Sequence, residues 1–257
     1  MGILNFTPDS FYSESRTLKD SDLLTKVSSM LKDGATFIDI GAYSSRPGAD
    51  FVSVEEEKKR LLPALEHIVK EFPDLLISVD TFRASIASDA IDIGACMVND
   101  ISGGNLDENM FSLIAEKKTP YILMHMRGTP ETMSSLNKYD NLILDCITEL
   151  QQKVKALTNL GVNDLIVDPG LGFAKDLNQN YEIVKHLKSF EILGHPILIG
   201  ASRKSMIYKR LNIKPEEALN GSSVVHAASL LNGASILRVH DVKAAVEAVK
   251  ITNLLKN

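Results

Sequence analysis

Short apolar runs rich in Ile, Val and Leu recur along the whole chain and alternate with segments of helical periodicity. The eight runs lie at residues 2–4, 36–40, 75–79, 96–98, 121–124, 164–167, 196–199 and 235–239. Their hydrophobicity is nearly continuous, which is typical of strands buried on both faces of a parallel sheet. Eight strands alternating with helices favour an α/β fold of the (β/α)8 (TIM) barrel type over an open sheet.

The predicted helices have recognisable ends. Ser53 and Glu56 have the spacing of a capping box, and Pro215 begins a sequence typical of a first helical turn. Glycines stand where helices should end before strands, at Gly34, Gly94, Gly161 and Gly233. The charged run 55–60 is interpreted as a solvent-exposed helix face. Since no linker or repeat divides the chain, we expect residues 1–257 to form a single domain.

Composition narrows the class of protein. The 257 residues are 44% hydrophobic and carry a net charge of −5, which gives no support to a nucleic-acid or membrane partner. Cys96 and Cys146 lack metal-like spacing and are interpreted as reduced core residues. No targeting segment or long uncharged apolar run is present, so we expect a cytoplasmic protein. The first strand begins almost at residue 1, and a short strand or a late start remain alternatives.

A polar residue lies at the end of every apolar run or just beyond it. These residues are Asn5, Asp39 with the loop to Arg46, Asp80, Asn99 and Asp100, His125, Asp168, the segment 202–204, and Arg238 with His240. Asp39, inside its run, is expected either to brace the barrel by hydrogen bonds or to contact a ligand. In a (β/α)8 barrel the carboxyl ends of all strands meet at one rim, where the active sites of this fold lie. The sequence therefore predicts a polar cleft at that rim.

The cleft has two chemical halves. Asp80, Asn99 and Asp168 offer acceptors suited to a flat heterocycle with several N–H donors. Cationic groups suited to phosphate or diphosphate come from Arg46, Lys204, Arg238 and His240. The combination predicts a donor-rich ring that carries an anionic tail. Other chemistries lack their motifs: GLGFAK lacks the third glycine of a dinucleotide site, GASRK lacks the end of a nucleophile elbow, and no paired histidines could hold zinc.

These residues resemble the dihydropteroate synthase family. The resemblance rests on GILNFTPDSF, DIGAYSSRPGA, SVDT, VNDISGG, MHMRGTP, VDPGLGFAK, GASRKSM and ILRVHDV, in the family's order and over essentially the whole chain. It implies a transferase of folate biosynthesis. The expected reaction joins 6-hydroxymethyl-7,8-dihydropterin diphosphate to 4-aminobenzoate with Mg²⁺, giving 7,8-dihydropteroate and pyrophosphate, and the expected assembly is a homodimer through the last helices.

The resemblance also implies roles for individual residues. The pterin would be held by Asp80, Asn99, Asp168 and Lys204, the diphosphate by Ser45, Arg238 and His240, Mg²⁺ by Asn5, and the aminobenzoate by Arg46, Pro47, Phe173 and Ser205. The residues expected to act in catalysis are Asp168, Lys204, Arg238 and His240. Residues 11–16 and 44–48 would belong to loops that close over the site.

The chain departs from the family's pattern in three places. Ser45 replaces the usual Thr and keeps the hydroxyl, whereas Tyr12 to Ser15 replace a glycine-rich loop sequence, which leaves loop closure open. Ala174 stands where glycine is common and is harmless unless the position needs a positive φ. Two alternatives remain: a pterin-binding methyltransferase of corrinoid systems, which lacks the Arg-x-His ending, and a non-catalytic pterin-binding paralogue.

Overall fold

The structure is a computed structural model that describes residues 1–6, 16–43 and 52–256, without the side chains of 16–21. The strands are β1 (Gly2–Asn5), β2 (Phe37–Gly41), β3 (Leu76–Asp80), β4 (Met97–Asp100), β5 (Tyr121–Met124), β6 (Leu165–Asp168), β7 (Leu198–Ile199) and β8 (Ile236–Leu237). The α-helices are α1 (Arg16–Lys32), α2 (Val54–Glu71), α3 (Ala84–Ile93), α4 (Met110–Lys117), α5 (Leu142–Asn159), α6 (Leu177–Lys185), α7 (Ser205–Leu211), α8 (Leu219–Leu231) and α9 (Val242–Lys256). Short 3-10 helices lie at Met133–Ser135, Leu187–Leu193 and Pro215–Glu217.

The eight strands close into a parallel barrel. Strands β1 to β6 pair in sequence order, and β7 pairs with β8. The two sheets are joined at both seams by parallel bridges, between Val167 and Ile197 and between Gly2 and Val239. The Ile3 amide donates to the Val239 carbonyl at 2.9 Å, so the ends of the chain meet in one barrel wall. The predicted (β/α)8 barrel is confirmed.

Alternation along the strands divides the barrel interior into an apolar and a polar layer. The apolar layer includes Met97, Ile122, Ile166 and Leu198, which pack together with Phe37 and Ile236. Two residues further along four of these strands, on the same face, come Asp39, Asn99, Asp168 and Arg238. The intervening Ile38, Val98, Val167 and Leu237 pack into the large core outside the barrel. A strand period of two thus places a polar layer directly above an apolar floor.

Most of the predicted helix ends are observed. Ser53 Oγ accepts from the Glu56 amide at 3.2 Å at the start of α2. The four glycines at predicted helix ends have positive φ, from 87° at Gly161 to 137° at Gly94, which explains the choice of glycine there. Pro215 lies in a three-residue 3-10 helix before α8 and does not begin an α-helix.

The interpretation of the charged run 55–60 as a solvent-exposed face is wrong for Glu57. This side chain is fully buried, and its carboxylate accepts from Arg83 Nη1 at 2.6 Å and from Thr81 Oγ1 at 2.8 Å. Arg83 also donates to the Val52 carbonyl at 2.6 Å. A buried ion pair therefore ties α2 to the loop after β3, and Glu57 is the charged member of an otherwise apolar helix face.

None of the helices within the described ranges combines the length and the low charge that crossing a bilayer requires. Both cysteines are free thiols, Cys146 buried and Cys96 partly buried, as predicted.

Candidate active site

An arginine bridging two carboxylates lies at the centre of the polar layer. Arg238, just beyond β8, donates from Nε to Asp39 Oδ2 and from Nη2 to Asp80 Oδ2, both at 2.5 Å. The Asp39 side chain is fully buried, and those of Arg238 and Asp80 are 18% and 14% exposed. The guanidinium thus cross-links β2, β3 and β8 at the carboxyl end of the barrel.

Asp39 has further hydrogen-bonding capacity. Its Oδ2 also accepts from Asn99 Nδ2 at 3.0 Å, which brings β4 into the network. Its second oxygen, Oδ1, is buried and has no hydrogen-bond partner among the described residues. Since buried carboxylate oxygens are normally satisfied, this atom is an acceptor available to a donor that enters the barrel mouth.

The low polarity of the barrel mouth shifts the ionisation of its acids. Burial raises the pKa of Asp80 to about 7 against the lowering effect of the Arg238 guanidinium. Burial also raises the pKa of Asp168, whereas the Lys204 ammonium and the Gly170 amide lower it. That amide donates to Asp168 Oδ1 at 2.7 Å. Both acids are therefore sensitive to any charge brought into the cleft.

A second cation lies on the β6 side of the mouth. Lys204, the residue before α7, donates from Nζ to the Leu171 carbonyl at 2.5 Å. The same ammonium is 4.7 Å from the centroid of the Phe173 ring, a cation–π contact with a mostly buried phenyl group. Burial lowers the pKa of Lys204 to about 8, while Asp168 acts in the opposite direction. Lys204, Phe173 and Asp168 thus form a second group beside the arginine network.

The remaining described site residues lie around the rim. Asn5 ends β1 with an exposed side chain, and Ser205 is the first residue of α7. His240 is exposed, and its Nδ1 lies 3.1 Å from Ser202 Oγ. Arg238 and His240, two residues apart, therefore have different surroundings: one lies in the barrel mouth and the other on the rim. The predicted Ser45, Arg46 and Pro47, and the altered loop 12–15, lie outside the described residues.

The prediction that every strand end contributes to one cleft is too broad. His125 contacts Glu149 Oε2 of α5 at 3.0 Å, Asp100 accepts from the Tyr121 hydroxyl at 2.7 Å, and Arg203 pairs with Asp241 at 2.8 Å. The reason is parity for His125 and Asp100. Each follows an inward residue of its strand, so its side chain is directed towards the helices.

Sequence reasoning missed Lys175 and underestimated Asp39. Lys175, in the loop that joins β6 to α6, lies behind the site and contacts His125. Asp39 was interpreted equally as a brace for the barrel or a ligand contact, and it is the residue through which Arg238 and Asn99 are joined. Asp39 is two residues after Phe37 and therefore on the same, inward face of β2, and this spacing is the signal in the sequence that could have identified its role.

The geometry offers hydrogen-bond acceptors on the β2–β4 side, an acid and an ammonium on the β6–β7 side, and a guanidinium between them. Such a mouth can hold a flat ring by its edge and neutralise an anionic group beside it. Within the described part of the chain, no three His, Cys, Asp or Glu side chains converge as a metal site.

Comparison with known proteins agrees with this geometry. Residues 1–240 match the family model described as pterin binding enzyme. The chain is 40% identical to the dihydropteroate synthase of Bacillus subtilis, over 100% of this chain and 88% of the relative. A crystal structure of Yersinia pestis dihydropteroate synthase with a sulfonamide drug superposes with a TM-score of 0.91 at 38% identity, covering 99% of this chain and 93% of that one. Xanthomonas albilineans dihydropteroate synthase with 4-aminobenzoic acid gives a TM-score of 0.90 at 33% identity, covering 99% and 92%.

The fold and the site thus define a barrel enzyme that binds a pterin, and the chain belongs to the pterin-binding enzyme family. Its activity is that of the dihydropteroate synthases: it is a transferase that makes dihydropteroate in folate biosynthesis.

Proposed function

We propose that the acceptor side of the barrel mouth binds the pterin ring by its edge. Asp80, Asn99 and Asp168 would accept from the ring N–H groups, and Lys204 would contact the ring from the other side. The observation that carries this proposal is the polar layer itself, in which these side chains meet above an apolar floor. The unpaired Asp39 Oδ1 adds an acceptor at the same depth.

Arg238 is proposed to bind the diphosphate, together with His240 and Ser45. The guanidinium already lies between two carboxylates, so an incoming diphosphate can replace Asp80 as a partner while Asp39 keeps hold of Nε. Such an exchange would free Asp80 to accept from the pterin. Binding of the diphosphate to Arg238 would thus be coupled to binding of the pterin by Asp80.

Mg²⁺ is proposed as the cofactor, with Asn5 as the protein ligand. Mg²⁺ commonly keeps several waters and binds through one or two protein oxygens plus substrate phosphates. One exposed amide oxygen at the rim, without a cluster of carboxylates in the described ranges, fits that mode of binding. When bound, Mg²⁺ would help to neutralise the diphosphate as it leaves.

The proposed chemical step is a dissociative substitution. The C–O bond to the diphosphate breaks first, and the pterin carries the positive charge. The amine of 4-aminobenzoate then attacks the cationic carbon, which forms the C–N bond and releases one amine proton to solvent. Arg238 and His240 stabilise the departing anion, and the Asp168 carboxylate stabilises the cation through space. Phe173 and Ser205 would line the side from which the amine arrives, and Arg46 and Pro47, which lie outside the described residues, are proposed to complete the aminobenzoate pocket.

The experiment that tests these assignments compares Asp168→Asn with the parent protein. The substitution keeps the shape and removes the charge, so kcat should fall by about tenfold or more while the affinity for the pterin changes less. Product formation is followed as dihydropteroate and pyrophosphate, with and without Mg²⁺. Unchanged kcat would contradict the electrostatic role of Asp168, and equal rates without Mg²⁺ would contradict the metal proposal.

The same assay separates the two other interpretations of the sequence. Pterin binding without product in the parent protein would support a non-catalytic paralogue. Methyl transfer from a folate would support the corrinoid-linked methyltransferase. Neither is favoured by a mouth that contains both Lys204 and Arg238 beside the acids.

The chain is further proposed to act in the cytoplasm as a single-domain homodimer through its last helices. Support comes from exposed apolar side chains on α8 and α9, including Val224, Ile251, Leu254 and Leu255. Leu254 is 76% exposed. The Leu254→Lys variant should shift the mass measured by light scattering from dimer to monomer, whereas a monomeric parent protein would contradict the proposal.

A further inference from the structure

Lys175 is a charged residue of the β6–α6 loop that lies behind the candidate site. Its ammonium group is 3.0 Å from His125 Nδ1, 3.1 Å from the Gly170 carbonyl and 2.9 Å from the Phe173 carbonyl. An ammonium has three N–H donors and no acceptor, so these three contacts use all of its protons. Lys175 therefore ties the two ends of the loop segment 170–173 together, because its ammonium group binds the carbonyls of both Gly170 and Phe173.

The partners of Lys175 fix the state of the neighbouring histidine. Since the ammonium can only donate, His125 Nδ1 must accept, which leaves Nε2–H to donate to Glu149 Oε2 at 3.0 Å. Burial and the Lys175 charge lower the pKa of His125 to about 4, so the ring is neutral. Burial lowers the pKa of Lys175 to about 8, which leaves the ammonium protonated at neutral pH.

The loop held by Lys175 carries the groups that contact Lys204. The Leu171 carbonyl accepts from Lys204 Nζ at 2.5 Å, and the Phe173 ring lies under the same ammonium. Two ammonium groups thus hold neighbouring carbonyls of one short loop, Lys204 from the site and Lys175 from behind. Gly170 allows the loop to pack this closely, because a Cβ at that position would lie 2.0 Å from the His125 carbonyl oxygen.

The backbone of Asp168 is anchored independently of Lys175, and only its carboxylate contacts the loop, through the Gly170 amide at 2.7 Å. Asp168 is the last residue of β6 and pairs with Met124, and its carbonyl accepts from the His125 amide at 2.8 Å. Loss of Lys175 would therefore release the loop segment 170–173 and leave the Asp168 backbone in the barrel wall. The two substrates should respond differently, since the pterin relies on the strand ends and the aminobenzoate on the loop.

We propose that Lys175 is a positioning residue that sets the placement of Phe173 in the aminobenzoate half of the site. The inference rests on the proposed function, which assigns Phe173 to that half. A displacement of about 1 Å in a group that positions a substrate can reduce the rate by up to about a hundredfold. Removing the ammonium should therefore weaken the use of 4-aminobenzoate far more than the binding of the pterin diphosphate.

The test compares Lys175→Met with Lys153→Met in the full chain. Lys153 is a matched control, because it is another partly buried lysine that donates to a loop carbonyl, that of Ser102 at 3.3 Å, without contacting the β6–α6 loop. In Lys175→Met, KM for 4-aminobenzoate should rise about tenfold to a hundredfold, and Kd for the pterin diphosphate should stay within about twofold. Lys175→Arg, which keeps the charge, should show a smaller rise in KM.

The possible outcomes separate this inference from the proposed function. Equal losses for both substrates, or a rise in KM no larger than that of Lys153→Met, would overturn the positioning role. If Lys175→Met does not fold, the same ratio is measured in Lys175→Gln, which keeps two N–H donors. A parent protein whose rate does not depend on 4-aminobenzoate would overturn the proposed function and this inference with it.

Discussion

The ion pair between Arg238 and Asp39 allows the energetics of the site to be tested in isolation from catalysis. Asp39 is fully buried and Arg238 only 18% exposed, so solvent screens the 2.5 Å contact weakly. Removing one member of such a pair leaves an uncompensated buried charge and typically costs about 3 to 5 kcal/mol. Arg238→Met should lower the free energy of unfolding by about that amount, whereas Asp39→Asn should cost less, because Arg238 keeps its contact with Asp80.

The double variant Asp39→Asn/Arg238→Met removes both charges and should be less destabilised than the sum of the single variants. We expect a coupling energy of about 2 to 4 kcal/mol in a double-mutant cycle. Unfolding in urea, followed by far-ultraviolet circular dichroism, gives the four free energies by linear extrapolation.

A surface pair provides the matched control. Lys117 Nζ lies 2.6 Å from Asp92 Oδ1, but these side chains are 26% and 61% exposed. The cycle Asp92→Asn/Lys117→Met should therefore give a coupling below about 1 kcal/mol. Additive effects of Asp39→Asn and Arg238→Met would refute the reasoning, because they would show that the two side chains do not depend on each other.

Three further predictions concern other positions. Burial raises the pKa of Asp80 to about 7, so the carboxylate proposed to accept from the pterin becomes protonated below pH 7. The Kd for the pterin, measured by calorimetry, should therefore rise by up to about tenfold per pH unit below pH 7, and Asp80→Asn should remove this dependence. His226 is buried, its Nε2 has no hydrogen-bond partner among the described residues, and burial lowers its pKa from 6.5 to about 4. Between pH 6.5 and pH 4, unfolding therefore takes up a proton, so His226→Leu should remove about 2 kcal/mol of the stability loss between pH 8 and pH 5. Ala174 has a φ of 50° and is 2% exposed. In Ala174→Gly the relief of left-handed strain should be offset by loss of the buried methyl group and by the greater freedom of the unfolded chain, so the free energy of unfolding should change by less than about 1 kcal/mol. Ala174→Val, which is strained at this φ, should lower the free energy of unfolding by about 2 kcal/mol or more.

The barrel could be predicted because its strands are short, apolar and separated by clear helix ends. The positive φ at Gly34 and Gly94 follows from the need to end a helix and turn into a strand. The pattern predicted a closed barrel but not the contacts that close it between β8 and β1, because these join strand ends 236 residues apart. That distance is spanned by the hydrogen bond from the Met1 amino group to the Leu237 carbonyl.

The candidate site could be predicted only in part. Asp80, Asn99, Asp168 and Arg238 were found because polar residues at strand ends converge in this fold. A strand residue points into the barrel only when it lies an even number of positions in sequence from another inward residue. His125 is one residue after the inward Met124, so it points towards the helices. Long-range partners such as Lys175 and His125, 50 residues apart, arise only when the loop folds back on the strand.

Helical periodicity accounts for the burial of Glu57, because a spacing of four residues places it on the same face of α2 as the buried Leu61 and Leu65. A charged residue in a charged run gives no sign that its partner, Arg83, will be buried with it. The ion pair is formed by the packing of α2 against the β3–α3 connection. The burial of Glu57 thus depends on a tertiary contact and could not be predicted from the local composition.

The most direct test of the account compares the binding of 6-hydroxymethyl-7,8-dihydropterin diphosphate and of the bare hydroxymethyl pterin by calorimetry in Mg²⁺. Asp39→Asn is compared with Asp39→Asn/Arg238→Met, so that no buried Asp39 charge is left unpaired in either protein. If Arg238 binds the diphosphate, the Kd for the diphosphate form should rise about tenfold to a hundredfold in the double variant, whereas the Kd for the bare pterin should change little. Equal losses for the two ligands would contradict the assignment of Arg238 to the diphosphate.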